Sequence, residues 1–241
     1  MKKDKMRKKL LSSAFSEQNK ESNLHRKTPF LSTKKYLLIV TEGENTEPTY
    51  FEKFKNPIVQ VVAVGKGDHT CSLLRSVSQI QKENESKLPD GIKFDEVWVV
   101  FDKDDFSDFD SAVRLAKQKG YKVAYSNQAF EYWILLHFND HQGGKMPRSL
   151  YADKINTELS LLKVKPYDKK SKKITDEIFD VLMGRGKNGK FRCIEAYNRA
   201  ERLIKDKVDE KPSKQESITY VGKLVKTIVG DSDWERMKNG L

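Results

Sequence analysis

Four short apolar runs alternate with amphipathic segments along residues 35–138, and this alternation limits the chain to one fold class. Short runs rich in Val, Ile and aromatic residues predict buried strands, and longer segments with apolar residues three or four positions apart predict helices. The predicted strands are 35–41, 59–64, 95–101 and 121–125, and the predicted helices are 47–56, 69–87, 108–119 and 129–138. A repeated strand–helix order predicts an α/β fold, a mostly parallel sheet with helices on both faces.

Acidic residues directly follow the first and the third predicted strands. Glu42 comes after the first strand, and Asp102, Asp104 and Asp105 come at the end of the third. The carboxyl ends of parallel strands share one edge of a sheet, where open α/β proteins build their sites. Crowded carboxylates raise one another's pKa unless a cation neutralises them, and hard divalent ions prefer oxygen ligands. The pattern predicts a Mg²⁺ site, and the alternative is a solvated acidic loop.

The segment after the first strand predicts a tight turn into a helix. Gly43 permits the turn, Thr46 is the expected N-cap residue, and Pro48 falls in the first helical turn.

The predicted helix 129–138 is apolar nearly all round, so we expect it to be buried. A glutamate is costly to bury unpaired, so Glu131 either caps a loop, pairs with a lysine or acts in catalysis. His137 has three interpretations: a general base, a residue that contacts phosphate, or a buried histidine whose hydrogen bonds are made within the core. His137 and His141 have a metal-like spacing, but the helix is expected to end between them, which disfavours a zinc site.

After residue 140 the alternation of predicted strands and helices stops. Helices are predicted at 148–162, 174–183 and 191–207, separated by joints rich in Lys and Gly. We therefore expect three parts: a flexible basic arm at 1–34, a catalytic α/β domain at 35–140, and a helical lobe at 141–241 packed on the sheet.

Positive charge is concentrated in two regions. The net charge is +11, and residues 1–35 contribute +8 of it, from eleven Lys and Arg against three acids. Residues 163–192 carry ten Lys and Arg against four acids. A basic, aperiodic arm commonly binds a nucleic-acid backbone, although it can also be a solubilising tail. Nucleic acid is therefore the expected partner, with the second region as a further phosphate-binding surface or a solvated helix face.

Several classes of protein are disfavoured by the sequence. There is no apolar run of about 18 residues, so no membrane span is expected, and the basic N-terminus lacks the apolar segment of a secretory signal. The two cysteines form no C-x-x-C pair, which favours a reduced cytoplasm. No G-x-x-x-x-G-K-[ST] motif is present, so any ATPase would have to be a separate chain.

The order of these motifs resembles a Toprim domain, the catalytic fold of topoisomerases, primases and OLD-type nucleases. More narrowly, the chain resembles the RloB family, Toprim-like proteins associated with bacterial anti-phage and abortive-infection loci. The residues that carry the resemblance are Thr41–Glu47, Phe101–Asp105 and Ser126–Phe138. It implies a Toprim-like fold, Mg²⁺ (or Mn²⁺) on Asp102 and Asp104, and Glu42 as general acid/base or third metal ligand. Glu44 and Asp105 could coordinate through water, and a separately encoded partner ATPase is implied as well.

These features favour a metal-dependent nuclease that cleaves DNA or RNA, with Glu42, Asp102, Asp104, Glu131 and His137 as candidate catalytic residues. The alternative is a non-catalytic Toprim-type scaffold that binds nucleic acid and works with a partner ATPase. A topoisomerase or primase would need additional domains. A haloacid dehalogenase phosphatase normally carries its D-x-D on the first strand, whereas here it follows the third. The sequence does not choose between DNA and RNA, and it leaves the oligomeric state open.

Overall fold

The computed structural model describes residues 34–54, 56–67, 70–103 and 108–241. The predicted metal ligands Asp104 and Asp105, and the predicted arm up to residue 33, lie outside the described residues. From Lys34 to Leu241 the chain forms one compact unit.

Five strands form one sheet in the order β2–β1–β3–β4–β5. The first four strands of this order are mutually parallel, and β5 pairs antiparallel with β4. The strands are β1 (Lys35–Thr41), β2 (Val59–Gly65), β3 (Glu96–Asp102), β4 (Lys122–Asn127) and β5 (Ile218–Thr219). The predicted α/β fold with a mostly parallel sheet is confirmed.

Nine α-helices surround this sheet within the described residues. They are α1 (Thr46–Phe51), α2 (Thr70–Glu85), α3 (Phe109–Gln118), α4 (Glu131–Leu136), α5 (Tyr151–Leu161), α6 (Asp176–Met183), α7 (Arg192–Asp206), α8 (Val221–Val229) and α9 (Asp231–Lys238). Two short 3₁₀ helices, Arg148–Leu150 and Pro212–Lys214, precede α5 and β5.

The strands are apolar on both sides because each face of the sheet is covered by helices. Leu37 and Ile39 of β1 belong to a core that includes α1, α4 and the helices after residue 150. Leu38 and Val40 belong to a second core with α2 and α3. Side chains alternate faces along a strand, so Asp102, two residues after Val100, continues the row that faces α1 and α4.

Helix α1 differs from its prediction at both ends. It was expected to reach residue 56 and ends at Phe51. Thr46 was expected as the N-cap, but Asn45 occupies that position and Thr46 is the first helical residue. The Thr46 hydroxyl contacts Tyr167 Oη at 2.9 Å instead, so a tertiary contact takes the group that would have capped the helix.

The C-terminal part contains a strand and two α-helices that were not predicted. Strand β5 has only two residues, and Ser126 of β4 contacts its Thr219 through hydroxyl groups 2.9 Å apart. Helices α8 and α9 follow it, and α8 buries most of its side chains in the core shared with α4. The segment expected to be a helical lobe therefore also contributes an edge strand to the sheet. No helix in the described residues has the length and apolar character that crossing a bilayer requires.

Candidate functional site

The acidic residues after β1 and β3 meet at the C-terminal edge of the sheet. The backbone N–H of Glu42 donates to the Val100 carbonyl at 2.9 Å, which extends the β1–β3 pairing by one residue. The backbone N–H of Asp102 donates to Glu42 Oε2 at 3.2 Å, although the two residues are 60 positions apart. Glu42 and Asp102 thus come together as the sequence predicted.

Further carboxylates reach the same place from two helices. Glu47 lies in the first turn of α1, and Glu131 is the first residue of α4. One cavity of about 350 Å³ is lined by five acidic residues and two basic ones: Glu42, Glu44, Glu47, Asp102 and Glu131, with Arg148 and Lys172. Negative charge therefore dominates the wall of this cavity.

Glu47 is the most deeply buried carboxylate of the cavity, with 5% of its surface exposed. Burial raises its pKa to about 7, and the charge of Glu131 adds to this, while backbone hydrogen bonds at Glu47 and Gly43 and the charge of Lys172 oppose it. A carboxyl group with this pKa is present in both its protonated and its ionised form near neutral pH, so it can exchange a proton there.

Asp102 is half-buried at the cavity wall. Loss of solvent around its carboxyl group raises its pKa well above the usual range, and the charges of Glu47, Glu131 and Glu42 raise it further. The positive charge of Arg148 lowers the pKa of Asp102. The carboxylates of this cavity therefore repel one another more strongly than the nearby cations compensate.

Two glycines let the β1–α1 connection fold closely around these carboxylates. A Cβ atom on Gly43 would overlap the carboxylate of Glu47. Gly67, after β2, has a φ of +65°, and a Cβ there would come within 2.5 Å of Glu44 Oε1. A side chain at either position would displace an acidic residue from the cavity wall.

Tyr167 connects the two helices that carry Glu47 and Glu131. Its hydroxyl donates to Glu131 Oε1 at 2.9 Å, and Thr46 Oγ1 lies 2.9 Å from the same oxygen. Because the one hydroxyl proton of Tyr167 is used by Glu131, Thr46 is the donor in the second contact. Tyr167 is 2% exposed, so this bridge is shielded from water.

The structure does not bring His137 to the carboxylate cavity. His137 is buried at the end of α4, where its Nδ1 lies 2.9 Å from the carbonyl of Trp133, and it lines a different cavity. Burial lowers its pKa to about 3, so the ring is neutral at pH 7. His141 contacts Tyr132 Oη through Nδ1 at 2.9 Å. Glu131 does line the carboxylate cavity, and its partner there is Tyr167.

Sequence reasoning missed four residues of this site. Glu47 was visible as the last acid of the Thr41–Glu47 segment, five positions after Glu42, but it was taken only as part of a helix start. Lys172 lies within the basic region 163–192 but was not singled out. Arg148 and Tyr167 carry no local signal, because only the packing of the C-terminal part brings them to the sheet edge.

The donor set suits a hard cation, although its geometry is not that of a preformed metal centre. In the described part of the chain, no three acidic, His or Cys side chains are grouped closely enough to hold a metal ion. The cavity wall nevertheless offers carboxylate oxygens in excess of positive charge, which is the chemistry that Mg²⁺ and Mn²⁺ require. Asp104 and Asp105, outside the described residues, follow directly after Asp102 in the chain.

Comparison with known families agrees with the resemblance seen in the sequence. A comparison with curated proteins gave no match. The family of RloB-like proteins matches residues 37–228, which include the parallel sheet except for the first two residues of β1, the carboxylate cavity and most of the C-terminal helices. The chain therefore belongs to the RloB-like protein family.

Proposed function

We propose that this protein is a nuclease that depends on a divalent metal ion, Mg²⁺ or Mn²⁺. One observation carries the proposal: five carboxylates and two cations, from segments far apart in the chain, line a single cavity at the C-terminal edge of a parallel sheet. Phosphodiester cleavage needs stabilisation of developing negative charge, a proton for the leaving oxygen and an oriented nucleophile. This cavity contains groups suited to each task.

Glu42 and Asp102 are the described residues that would hold the metal ion, with Asp104 and Asp105 as further predicted ligands. The bound ion would supply Lewis-acid stabilisation of the phosphate oxygens and a template for the reacting groups.

The other side chains supply charge and proton transfer. Arg148 and Lys172, which line the cavity, would contact the non-bridging oxygens of a phosphate that enters it. Glu47, whose pKa is raised to about 7 in the metal-free cavity, is a candidate to pass a proton to a leaving oxygen. Glu131, which accepts a hydrogen bond from the Tyr167 hydroxyl, would orient a reacting group. The proposal thus adds Glu47 to Glu42 as a candidate for acid/base chemistry.

A role in anti-phage defence, with a separately encoded ATPase as partner, forms part of this proposal because the RloB resemblance implies both. The competing function is a scaffold that binds nucleic acid without cleaving it. It is favoured by the positive charge concentrated in residues 1–35, which would bind a phosphate backbone whether or not cleavage follows.

A cleavage assay distinguishes the two functions. The full chain is incubated with labelled duplex DNA, single-stranded DNA and RNA, including tRNA, in Mg²⁺, Mn²⁺ or EDTA. We expect cleavage that requires metal and that falls at least about a hundredfold in Asp102→Asn, because the variant removes a charged metal ligand. Asp90→Asn, in the exposed loop before β3, is the matched control and should cleave normally. Binding of nucleic acid without cleavage in any metal would support the scaffold instead.

Glu42→Gln then separates the two roles implied for Glu42. The variant keeps the shape and hydrogen-bonding reach of the side chain but cannot transfer a proton or supply a full negative charge. We expect a loss of cleavage of at least about a hundredfold, with nucleic-acid binding retained. Rescue by excess metal would make Glu42 a ligand, and normal metal binding without cleavage would place it in proton transfer. Normal cleavage by this variant would contradict the proposed mechanism.

A further inference from the structure

A second cavity, of about 270 Å³, lies where the end of α4, the end of α5 and the start of α7 come together. It shares no lining residue with the carboxylate cavity. Its wall includes His137, one of the candidate residues that the proposed cleavage chemistry does not use.

His137, which lines this cavity, has an unused hydrogen-bond acceptor. A carbonyl oxygen can only accept, so the contact of Nδ1 with the Trp133 carbonyl requires the ring proton to be on Nδ1. Because the ring is neutral, Nε2 carries a lone pair. Nε2 is buried and has no hydrogen-bond partner among the described residues. A buried acceptor without a partner costs free energy, and a ligand N–H or O–H would remove that cost.

Three basic side chains line the same cavity. Arg199 donates through Nη1 to the Leu136 carbonyl at 2.7 Å, and Arg192 donates through Nη1 to the Val181 carbonyl at 3.1 Å. These contacts hold both guanidinium groups in place, and each group has further N–H donors for other acceptors. Lys187, in the loop before α7, is exposed. Together the three can bind an anion such as a phosphate group.

The remaining wall is partly apolar and partly acidic. Phe138, Leu161 and Leu162 supply an apolar surface, and Leu161 is 66% exposed at its rim. Glu158 and Glu195 also line the cavity, and Glu195 accepts from Asn188 Nδ2 at 2.7 Å. These carboxylates offset part of the positive charge and can accept hydrogen bonds from hydroxyl or amino groups.

We propose that this cavity binds a nucleotide unit. Its phosphate would contact Lys187 and Arg199, and its planar base would lie against the apolar surface. An N–H or O–H of the base or sugar would donate to His137 Nε2 after a small shift of the side chains that cover this buried nitrogen. A nucleotide combines the anionic group, the flat apolar surface and the hydrogen-bond donors that this wall complements. The inference does not depend on the proposed nuclease activity, because the two cavities have separate linings.

Isothermal titration tests the proposal on the full chain in EDTA, which excludes metal-dependent cleavage. The probes are AMP, GMP, CMP and UMP, each used separately, a short single-stranded RNA oligonucleotide, and inorganic phosphate. We expect at least one nucleotide probe to bind more tightly than inorganic phosphate. Tighter binding of a mononucleotide would identify a free nucleotide as the ligand, and tighter binding of the oligonucleotide would identify a nucleotide within a chain.

Three variants locate the binding. Lys187→Gln, which changes an exposed side chain, should weaken it about tenfold, because a charged contact to phosphate is lost. His137→Phe keeps a ring and removes the acceptor, and it should weaken binding about fivefold. Lys205→Gln is the control: it also removes one positive charge from an exposed position, on α7, and should bind the probes as the wild type does.

Four results would overturn the inference: no binding of any nucleotide probe, binding of phosphate as tight as that of every nucleotide, unchanged affinity in Lys187→Gln, or an equal loss in Lys205→Gln. Because Lys187 is exposed, its variant gives a result even if His137→Phe does not fold.

Discussion

At the residue scale, the carboxylate cavity depends on one small residue as much as on its acids. Gly43 leaves room for the carboxylate of Glu47, and a Cβ would occupy that room. The burial of Glu47, and hence its raised pKa, therefore follows from the lack of a side chain four positions earlier. Gly43 was expected only to permit a turn, and its packing role became visible only in three dimensions.

Gly43→Ala should displace the Glu47 carboxylate without changing any charge. The overlap is with the far end of a flexible side chain, so the variant should fold, with a loss of unfolding free energy of about 1 kcal/mol. If Glu47 transfers a proton, cleavage should fall at least about tenfold. Chemical denaturation and initial cleavage rates measure the two effects. Gly144→Ala is the control, since no heavy atom lies within 4 Å of its added Cβ. Full activity in Gly43→Ala would remove Glu47 from the mechanism.

Asp102→Asn should raise the thermal stability of the metal-free protein. The pKa of Asp102 is raised in the folded state, so its contribution to stability falls as the pH rises above the unfolded pKa, and the full penalty is reached once the pH passes the folded pKa. Asparagine does not titrate and avoids this penalty, so Tm in EDTA at pH 7 should be equal to or higher than that of the wild type, by about 2–4 °C for each kcal/mol gained. The gain should shrink near pH 4. A lower Tm at pH 7 would show that the carboxylate is stabilised by its surroundings.

At the scale of elements, the site is made where strand–helix connections meet a segment from the C-terminal part. The connection after β1 supplies Glu42 and Glu47, and the one after β4 supplies Glu131. Residues 148–172 then bring Arg148 and Lys172 to the same cavity and Tyr167 to Glu131. The first two connections were predictable from strand and helix patterns. The third was not, because a loop's position is set by the surfaces on which it packs.

Tyr167→Phe tests whether this segment positions Glu131. The ring remains, but Glu131 loses a hydrogen-bond donor and Thr46 loses an acceptor. We expect the free energy of unfolding to fall by about 1–2 kcal/mol and kcat to fall with little change in KM, because orientation of a reacting group is lost. Denaturant titration and steady-state kinetics measure these effects. Tyr36→Phe, at the start of β1, is the control. A loss of stability with unchanged kcat would limit Tyr167 to a structural role.

At the scale of the whole molecule, charge is divided between regions. Residues 1–35 contribute +8 of the net +11, whereas the candidate active cavity is acidic. In the proposed function, the basic segment would bind the phosphate backbone and the acidic cavity would bind the metal ion. The proposed role of the arm in binding nucleic acid rests on its sequence alone, because residues 1–33 lie outside the described residues.

Deletion of residues 1–33 should weaken nucleic-acid binding and reduce the dependence of log affinity on log salt concentration. Each lost phosphate contact lowers that slope by about 0.7–0.9. The thermal stability should change little, because the segment is polar and aperiodic. Binding titrations at several salt concentrations and a melting curve provide the measurements. An unchanged slope would make the arm a passive tail.

The sequence by itself determined the α/β class, the four parallel strands and the meeting of Glu42 with Asp102. These follow from local periodicity and from the rule that parallel strands end at one edge. It did not reveal helix α8, whose Val221, Val225, Thr227, Ile228 and Val229 favour a strand locally. Packing of its apolar face against the core stabilises the helix instead.

Only the tertiary structure decided which polar residues surround the acidic edge and which do not. Glu47 becomes a buried carboxylate because Gly43 and the N-terminal end of α1 enclose it, and Tyr167 reaches Glu131 from 36 positions away. His137, six positions after Glu131, instead lines a separate cavity at the other end of α4. The local pattern of apolar residues predicts where each strand ends, and hence which residues lie at the edge of the sheet. The environment of each side chain depends instead on long-range packing, which no local pattern encodes.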